Sequence, residues 1–365
     1  MPHYEAYESF QTKKSKQKKA KAKAKALGKQ ITETNDFIVD YGCNPAIVIE
    51  VRYDDAYVFY NDEIVVAKLR KDINMVCNQV VFPGDKVVIQ KNEENFVIQN
   101  LIKRKSLLSR VKKDRTRLDD VGLNKNIAAN IELAVIVVAA KEPPLHPKFI
   151  DRYLMILKNN EIDAVICLNK CDLKTDEDEI LDVYREIGIP VIETSTLNNI
   201  GIEELKSKID GKQAIFVGNS GVGKSSLINK IMDSEEIKTS HVSEKSKRGR
   251  HTTTTSKYYI WNDNSSIIDT PGIRSLDVSS FEAVEVQNFF PDIEKWNTGC
   301  KYRGCLHYNI PTDDCSVKQA VKSKLINYQR YESYLKIVSS IVDDGKLEDV
   351  LAEFDDVNIK KRELK

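Results

Sequence analysis

The chain has 365 residues, which at roughly 150 residues per domain makes two or three domains. Hydrophobic residues at 41% and charged residues at 30%, with only 15 Gly and 10 Pro, exclude a collagen-like or wholly disordered polymer. A formal net charge of +1 argues against strong attraction to nucleic acid, unless the charge is unevenly distributed.

It is uneven. Residues 1–30 carry nine lysines against Glu5 and Glu8, a local net of +7. The run KKSKQKKAKAKAKALGK has no apolar stripe to bury, so residues 1–36 are expected to form a disordered basic arm, either a solvated tail or a contact for a polyanion. Residues 37–105 change to short alternating runs, AIVIEVRY, AYVFYN, EIVVAKL, KVVIQ and NFVIQNLI, with the turn Pro83-Gly84-Asp85 among them. Period-two alternation with β-branched and aromatic enrichment predicts a small antiparallel barrel of OB type. Residues 101–117 hold eight Lys/Arg against Asp114, and a basic linker is expected over 106–129. Two +7 stretches bracketing one β-domain favour a polyanion as a partner over a merely solvated face.

From residue 130 to about 280, Val- and Ile-rich strands (ELAVIVVAA, DAVICLNK, PVIETS, QAIFVG) alternate with helical segments (FIDRYLMILKNN, DEDEILDVYREIG, GIEELKSKI). That alternation predicts a mostly parallel sheet in a three-layer α/β domain, whose ligands bind at the carboxyl ends of the strands. Residues 281–365 read as a helical domain with a Cys-rich loop and an acidic tail. The longest apolar run, residues 133–140, is far short of the roughly 20 residues that span a bilayer, and no signal-peptide pattern opens the chain. Seven cysteines, an odd number in a long chain, argue for a reducing compartment over a disulfide framework. The expectation is a cytoplasmic protein without membrane association, monomeric when free.

The strand QAIFV runs into GNSGVGKSS, the pattern G-x-x-x-x-G-K-S, and on into SLINKIM. Gly218, Asn219, Ser220, Gly221, Val222, Gly223, Lys224, Ser225 and Ser226 then line a phosphate site. The backbone N–H groups and the helix N-terminus face the phosphates, Lys224 reaches the β and γ oxygens, and Ser225 ligates Mg²⁺. The tetrapeptide Asn169-Lys170-Cys171-Asp172 selects guanine. The Asp172 carboxylate accepts from N1–H and the exocyclic amine, a pair adenine does not offer, while Asn169 meets the base edge and the Lys170 stem covers a ring face. Ser195, within Thr194-Ser195-Thr196, closes over the guanine oxygen. In Asp269-Thr270-Pro271-Gly272, Asp269 is placed to hold Mg²⁺ through water and the Gly272 N–H to bond the γ-phosphate. Upstream, RGRHTTTTSK offers threonines for the same ion. The motif does not choose among Thr252, Thr253 and Thr254, and Thr253 is carried as the candidate with Ser225 and Asp269.

The order of these motifs is unusual. Common GTPases run P-loop, D-x-x-G, N-K-x-D, whereas here the guanine motif comes first, at 169. A circular permutation keeps the spatial constellation while moving the chain ends, so the nucleotide-sensing loop leads directly into the C-terminal region. There, Cys300, Cys305, His307 and Cys315 make a C-x₄-C-x-H-x₇-C set, read either as a tetrahedral metal site or as buried free cysteines.

A β-barrel, then NKCD, GNSGVGKSS, GRHTTT and DTPGI in permuted order, then this cluster, resembles the ribosome small subunit-dependent GTPase A family over roughly residues 37–340. The resemblance implies an OB-fold domain, a permuted G domain and a C-terminal domain holding one structural Zn²⁺, with the last ligand interval two residues longer than the family pattern. It further implies late maturation of the small ribosomal subunit through contact with its rRNA, GTP hydrolysis to GDP stimulated by that subunit, and Mg²⁺ accompanying the nucleotide. Where many GTPases place a water-orienting Gln after the D-x-x-G glycine, this chain has Ile273, which cannot hydrogen-bond water. His251, beside the switch threonines, is the candidate catalytic residue, as a similar His in the family is assigned that role. Two alternatives stand beside this reading: an RNA-binding assembly factor whose nucleotide only orders the domains, and a permuted GTPase acting on the large subunit.

Overall fold

A computed structural model describes residues 45–52, 55–69, 81–92, 95–110, 125–174, 180–232, 257–262, 264–269, 278, 281–342, 345–354 and 357. They fall into two units, one built on the first 104 residues and one on residues 105–113 and 124–365.

In the first unit, β1 (Ala46–Arg52), β2 (Asp55–Tyr60), β3 (Glu63–Lys68), β4 (Lys86–Lys91) and β5 (Phe96–Leu101) close a barrel in the order β1-β2-β3-β5-β4. Only β3 and β5 run parallel. This is the OB-like barrel that the alternating runs predict. Alternation buries Ala46, Val48, Ala56, Val58, Ala67, Val87 and Ile98 on the inner face. Among the described residues of the 101–117 stretch, Arg104 faces inward: it donates from Nε and Nη2 to the two carboxylate oxygens of Asp85, at 2.6 and 2.7 Å, and stacks over Phe82. Asp85 is fully buried and also accepts from the Phe82 N–H, so this arginine holds the turn at 83–85 and adds little to the outward field.

The second unit opens with an element inside the expected linker. β6 (Leu107–Arg110) pairs antiparallel with β7 (Lys125–Ala129), burying Leu108 and Ala128. Charge density hid this ribbon, because only one side of so short a pair needs apolar residues.

β8 (Leu133–Ala139), β9 (Asp163–Asn169), β10 (Val191–Thr194), β11 (Gln213–Val217), β12 (Lys257–Asn262) and β13 (Ser265–Asp269) form one sheet in the order β10-β9-β8-β11-β13-β12. All neighbours are parallel except the edge pair β12 and β13. Every side chain of β8 and β11 is buried, the pattern of strands covered on both faces. β12 lies outside the strands that the sequence predicts; Tyr258 faces inward, its hydroxyl donating to Gln213 Oε1 and accepting from Ser266 Oγ, both at 2.8 Å. The helices are α1 (Pro147–Asn159), α2 (Ile180–Glu186), α3 (Ile202–Ile209) and α4 (Lys224–Ile231). α1 starts on Pro147, whose missing N–H costs nothing in the first turn, and buries Ile150, Tyr153 and Leu157 at helical spacing.

Beyond the sheet, α5 (Pro291–Glu294), α6 (Ser316–Lys322), α7 (Tyr328–Val342) and α8 (Leu347–Ala352) are joined by 3₁₀ turns at Ala283–Phe289, Asn297–Gly299 and Thr312–Asp314. α7 packs along α1, and its Tyr331 and Tyr334 are fully buried. Arg330 of α7 is 1% exposed, bonds Asp151 of α1 and Asp292 of α5, and lies between the rings of Phe290 and Tyr184 at 4.3 and 5.1 Å. Burial works against its charge, but the two carboxylates outweigh it and raise the guanidinium pKa.

Candidate functional site

Strand register brings the motifs together. Parallel pairing sets Asn169 beside Ala139 on one side and Thr194 on the other, and Phe216 beside Asp269. The loops leaving β9, β10, β11 and β13 therefore emerge from one edge of the sheet, although they lie up to a hundred residues apart in the chain.

At the centre, the loop from Gly218 leads to α4. Gly218 is buried, and a Cβ there would stand 2.4 Å from the Val137 carbonyl oxygen, so only glycine lets the loop leave the sheet so close to β8. Lys224 curls back and donates to the carbonyls of Gly218 and Asn219 at 2.7 and 3.0 Å. Burial lowers its pKa while Asp269 pulls the other way, so the ammonium gains from an anion in the loop. Ser220, Ser225 and Ser226 are exposed, whereas Val222 is buried in the core beneath. Ser225 opens the first turn of α4, and Asp269 ends β13.

The guanine motif is tied to this loop directly. Asn169 is 1% exposed, and its Nδ2 donates to the Val222 carbonyl at 2.9 Å. Its Oδ1 accepts from Thr194 Oγ1 at 3.2 Å, and Cys167 Sγ lies 3.2 Å from the same hydroxyl. Burial pushes the Cys167 thiol up to about 12, so it stays protonated and unreactive. Lys170, with φ of 58°, extends to the Glu142 carbonyl, and Asp172 is exposed in the turn that follows. Ser195 is buried, exchanges backbone bonds with Ile200 and accepts from the Asn198 N–H, which closes the loop after β10. His251, Thr253 and Gly272 lie outside the described residues.

A second cluster lies among the C-terminal helices. Cys300 follows the Asn297–Gly299 turn, and Cys315 follows the Thr312–Asp314 turn and leads into α6. That turn takes up the long last interval. The donor atoms of Cys300, Cys305, His307 and Cys315 all lie within 4.8 Å of one another. Cys315 Sγ is 3.8 Å from Cys300 Sγ and 3.9 Å from Cys305 Sγ, and His307 Nδ1 is 3.5 and 3.4 Å from the Cys300 and Cys315 sulfurs. Donors at zinc's ordinary bond lengths on a tetrahedron stand about 3.8 Å apart for two sulfurs and about 3.5 Å for sulfur and nitrogen. The set fits a tetrahedral Zn²⁺. Three of the four are buried; the hydrogen bonds from Cys315 and His307 draw the Cys305 thiol down to about 4, while the neighbouring Cys305 sulfur and burial raise Cys315.

Comparison with known proteins finds GTPases. A family model for the RsgA GTPase matches residues 101–279, and one for a 50S ribosome-binding GTPase matches residues 213–358. A small ribosomal subunit biogenesis GTPase RsgA from Clostridium beijerinckii is 36% identical over 266 residues, 72% of this chain and 86% of that protein. Its namesake from Thermotoga petrophila is 35% identical, covering 75% and 88%. The crystal structure of YjeQ from Thermotoga maritima superposes with a TM-score of 0.61 at 29% identity, over 82% of this chain and 98% of that one. YloQ, a circularly permuted GTPase, gives 0.59 at 26% identity, over 84% and 98%.

Proposed function

The chain belongs to the RsgA GTPase family and hydrolyses GTP, and from that premise we propose that it matures the small ribosomal subunit, which in turn stimulates its turnover. The observation that carries the nucleotide half is the bond from Asn169 to the Val222 carbonyl, which joins base recognition to the phosphate loop. The ribosomal half rests on curated relatives named for small-subunit biogenesis and on the basic stretches at 1–30 and 101–117.

In this reading Asp172 selects guanine, Lys170 covers the base and Ser195 braces the loop beside it. The N–H groups from Asn219 to Ser226 wrap the phosphates, and Lys224 exchanges its two carbonyl partners for phosphate oxygens. Ser225, Asp269 and Thr253 would hold Mg²⁺, which would supply charge neutralisation at the phosphates. Gly272 senses the γ-phosphate, and His251 orients the attacking water that Ile273 cannot. Cys300, Cys305, His307 and Cys315 hold one structural Zn²⁺ that braces the C-terminal helices. GTP favours the docked state on the subunit and hydrolysis releases it.

Ile273 supports a second reading, in which nucleotide orders the domains and hydrolysis is incidental. Steady-state GTPase rates measured alone, with small subunits and with large subunits decide the matter. Stimulation by small subunits only is the expected result; none favours the second reading, and stimulation by large subunits overturns the choice of partner.

A further inference from the structure

The fourth donor of the Cys/His cluster is held from outside the Cys-rich loop. Gln287 lies in the 3₁₀ turn Ala283–Phe289, in the segment through which the chain passes from the D-x-x-G loop to the C-terminal helices. Its Oε1 accepts from His307 Nε2 at 3.0 Å and from Asn297 Nδ2 at 3.4 Å, while its own Nε2 donates to the Val284 carbonyl at 3.1 Å. The Val284 carbonyl, which only accepts, takes the amide nitrogen, and the Asn297 amide donates to the other side, so the amide has its oxygen toward the imidazole.

That orientation dictates the histidine. An amide oxygen only accepts, so Nε2 carries the ring proton and Nδ1, which faces the sulfurs of Cys300 and Cys315, presents a lone pair. The backbone of His307 is fixed as well: φ is 52°, its N–H donates to Cys305 Sγ at 3.4 Å, and its carbonyl accepts from the Tyr331 hydroxyl. With the main chain pinned, the remaining freedom is rotation of the ring, and Gln287 is the side chain that removes it.

We propose that Gln287 is a positioning residue for the metal, fixing the His307 ring and its tautomer so that Nδ1 completes the tetrahedral set. This rests on the reading of the cluster as a zinc site. It also places one support of that site on the segment that follows the nucleotide-sensing loop, so the two are physically continuous.

The test uses the full-length protein and zinc alone. Bound zinc is measured by metal analysis, and its affinity by competition with a chromogenic chelator, for the wild type, Gln287→Leu and Gln287→Glu. Loss of an outer-shell partner of this kind weakens metal binding about 10- to 100-fold, which is the expectation for Gln287→Leu. Gln287→Glu, which keeps an acceptor facing Nε2, retains wild-type affinity. A wild type that binds no zinc overturns the metal reading itself. A wild type that binds zinc alongside a Gln287→Leu variant that binds it as tightly overturns the role of Gln287. Nitrogen-15 NMR of the histidine rings in the wild type tests the same point without substitution: His307 is expected as the Nε2–H tautomer, and an Nδ1–H tautomer overturns the proposal even if the leucine variant does not fold.

Discussion

Gly223 sits at φ of +91°, and a Cβ there would stand 2.3 Å from Asn169 Nδ2. Alanine must bear the strain of that backbone, about 1–3 kcal/mol, and displace the amide that ties the guanine motif to the phosphate loop. Gly223→Ala is therefore expected to weaken GTP binding by at least about tenfold, read by titration with a fluorescent GTP analogue. On the role proposed for His251 in orienting the attacking water, His251→Ala should keep that affinity while losing most hydrolysis in the presence of small subunits. Near-normal turnover by this variant would remove His251 from the mechanism. The glycine and lysine of G-x-x-x-x-G-K-S could be named from the sequence because backbone geometry demands them at fixed spacing. Gln287 could not, since its partner His307 is 20 residues away and no spacing rule connects a 3₁₀ turn to a Cys-rich loop.

Between elements, α1 and α7 are joined through Arg330, which is buried with Asp151 and Asp292. A cation so placed holds its neighbours more than it stabilises by attraction, because leaving a buried carboxylate unpaired is what costs. Arg330→Met is expected to lower stability by about 3–5 kcal/mol in urea denaturation. The double change Arg330→Met with Asp151→Leu should recover much of it, and failure to recover would place the effect in packing against Phe290 and Tyr184. The helical spacing of FIDRYL announced α1, but nothing in that hexapeptide shows that Asp151 points inward, since a lone Asp on a helix is ordinarily solvated. Its partner lies 179 residues on. The β6 and β7 ribbon escaped for a related reason: strands of four and five residues carry too little alternation to stand out from their charges.

At the level of the whole molecule, the net charge of +1 conceals a basic stretch on each side of the barrel segment. Removing residues 1–30 takes away a net of +7, and binding to small-subunit RNA should then lose salt dependence, the log–log slope falling by up to roughly 5. An unchanged slope in filter-binding across a potassium chloride series would mean that the arm makes no phosphate contact. Within the second basic stretch Arg104 is already engaged by Asp85, so fewer charges face outward there than a count of the sequence implies.

The sequence by itself determined the barrel, the alternating α/β domain, the phosphate loop, the guanine motif and their permuted order, because each is written in local periodicity or in a motif whose spacing follows from backbone geometry. Tertiary structure alone decided that Asn169 bonds the phosphate loop, that four metal-binding donors gather within 4.8 Å of one another, that Gln287 bonds His307 and that Arg330 joins two helices. These are contacts between residues brought together by parallel strand register and helix packing. Such pairings link distant positions through space, and no periodicity along the chain encodes them.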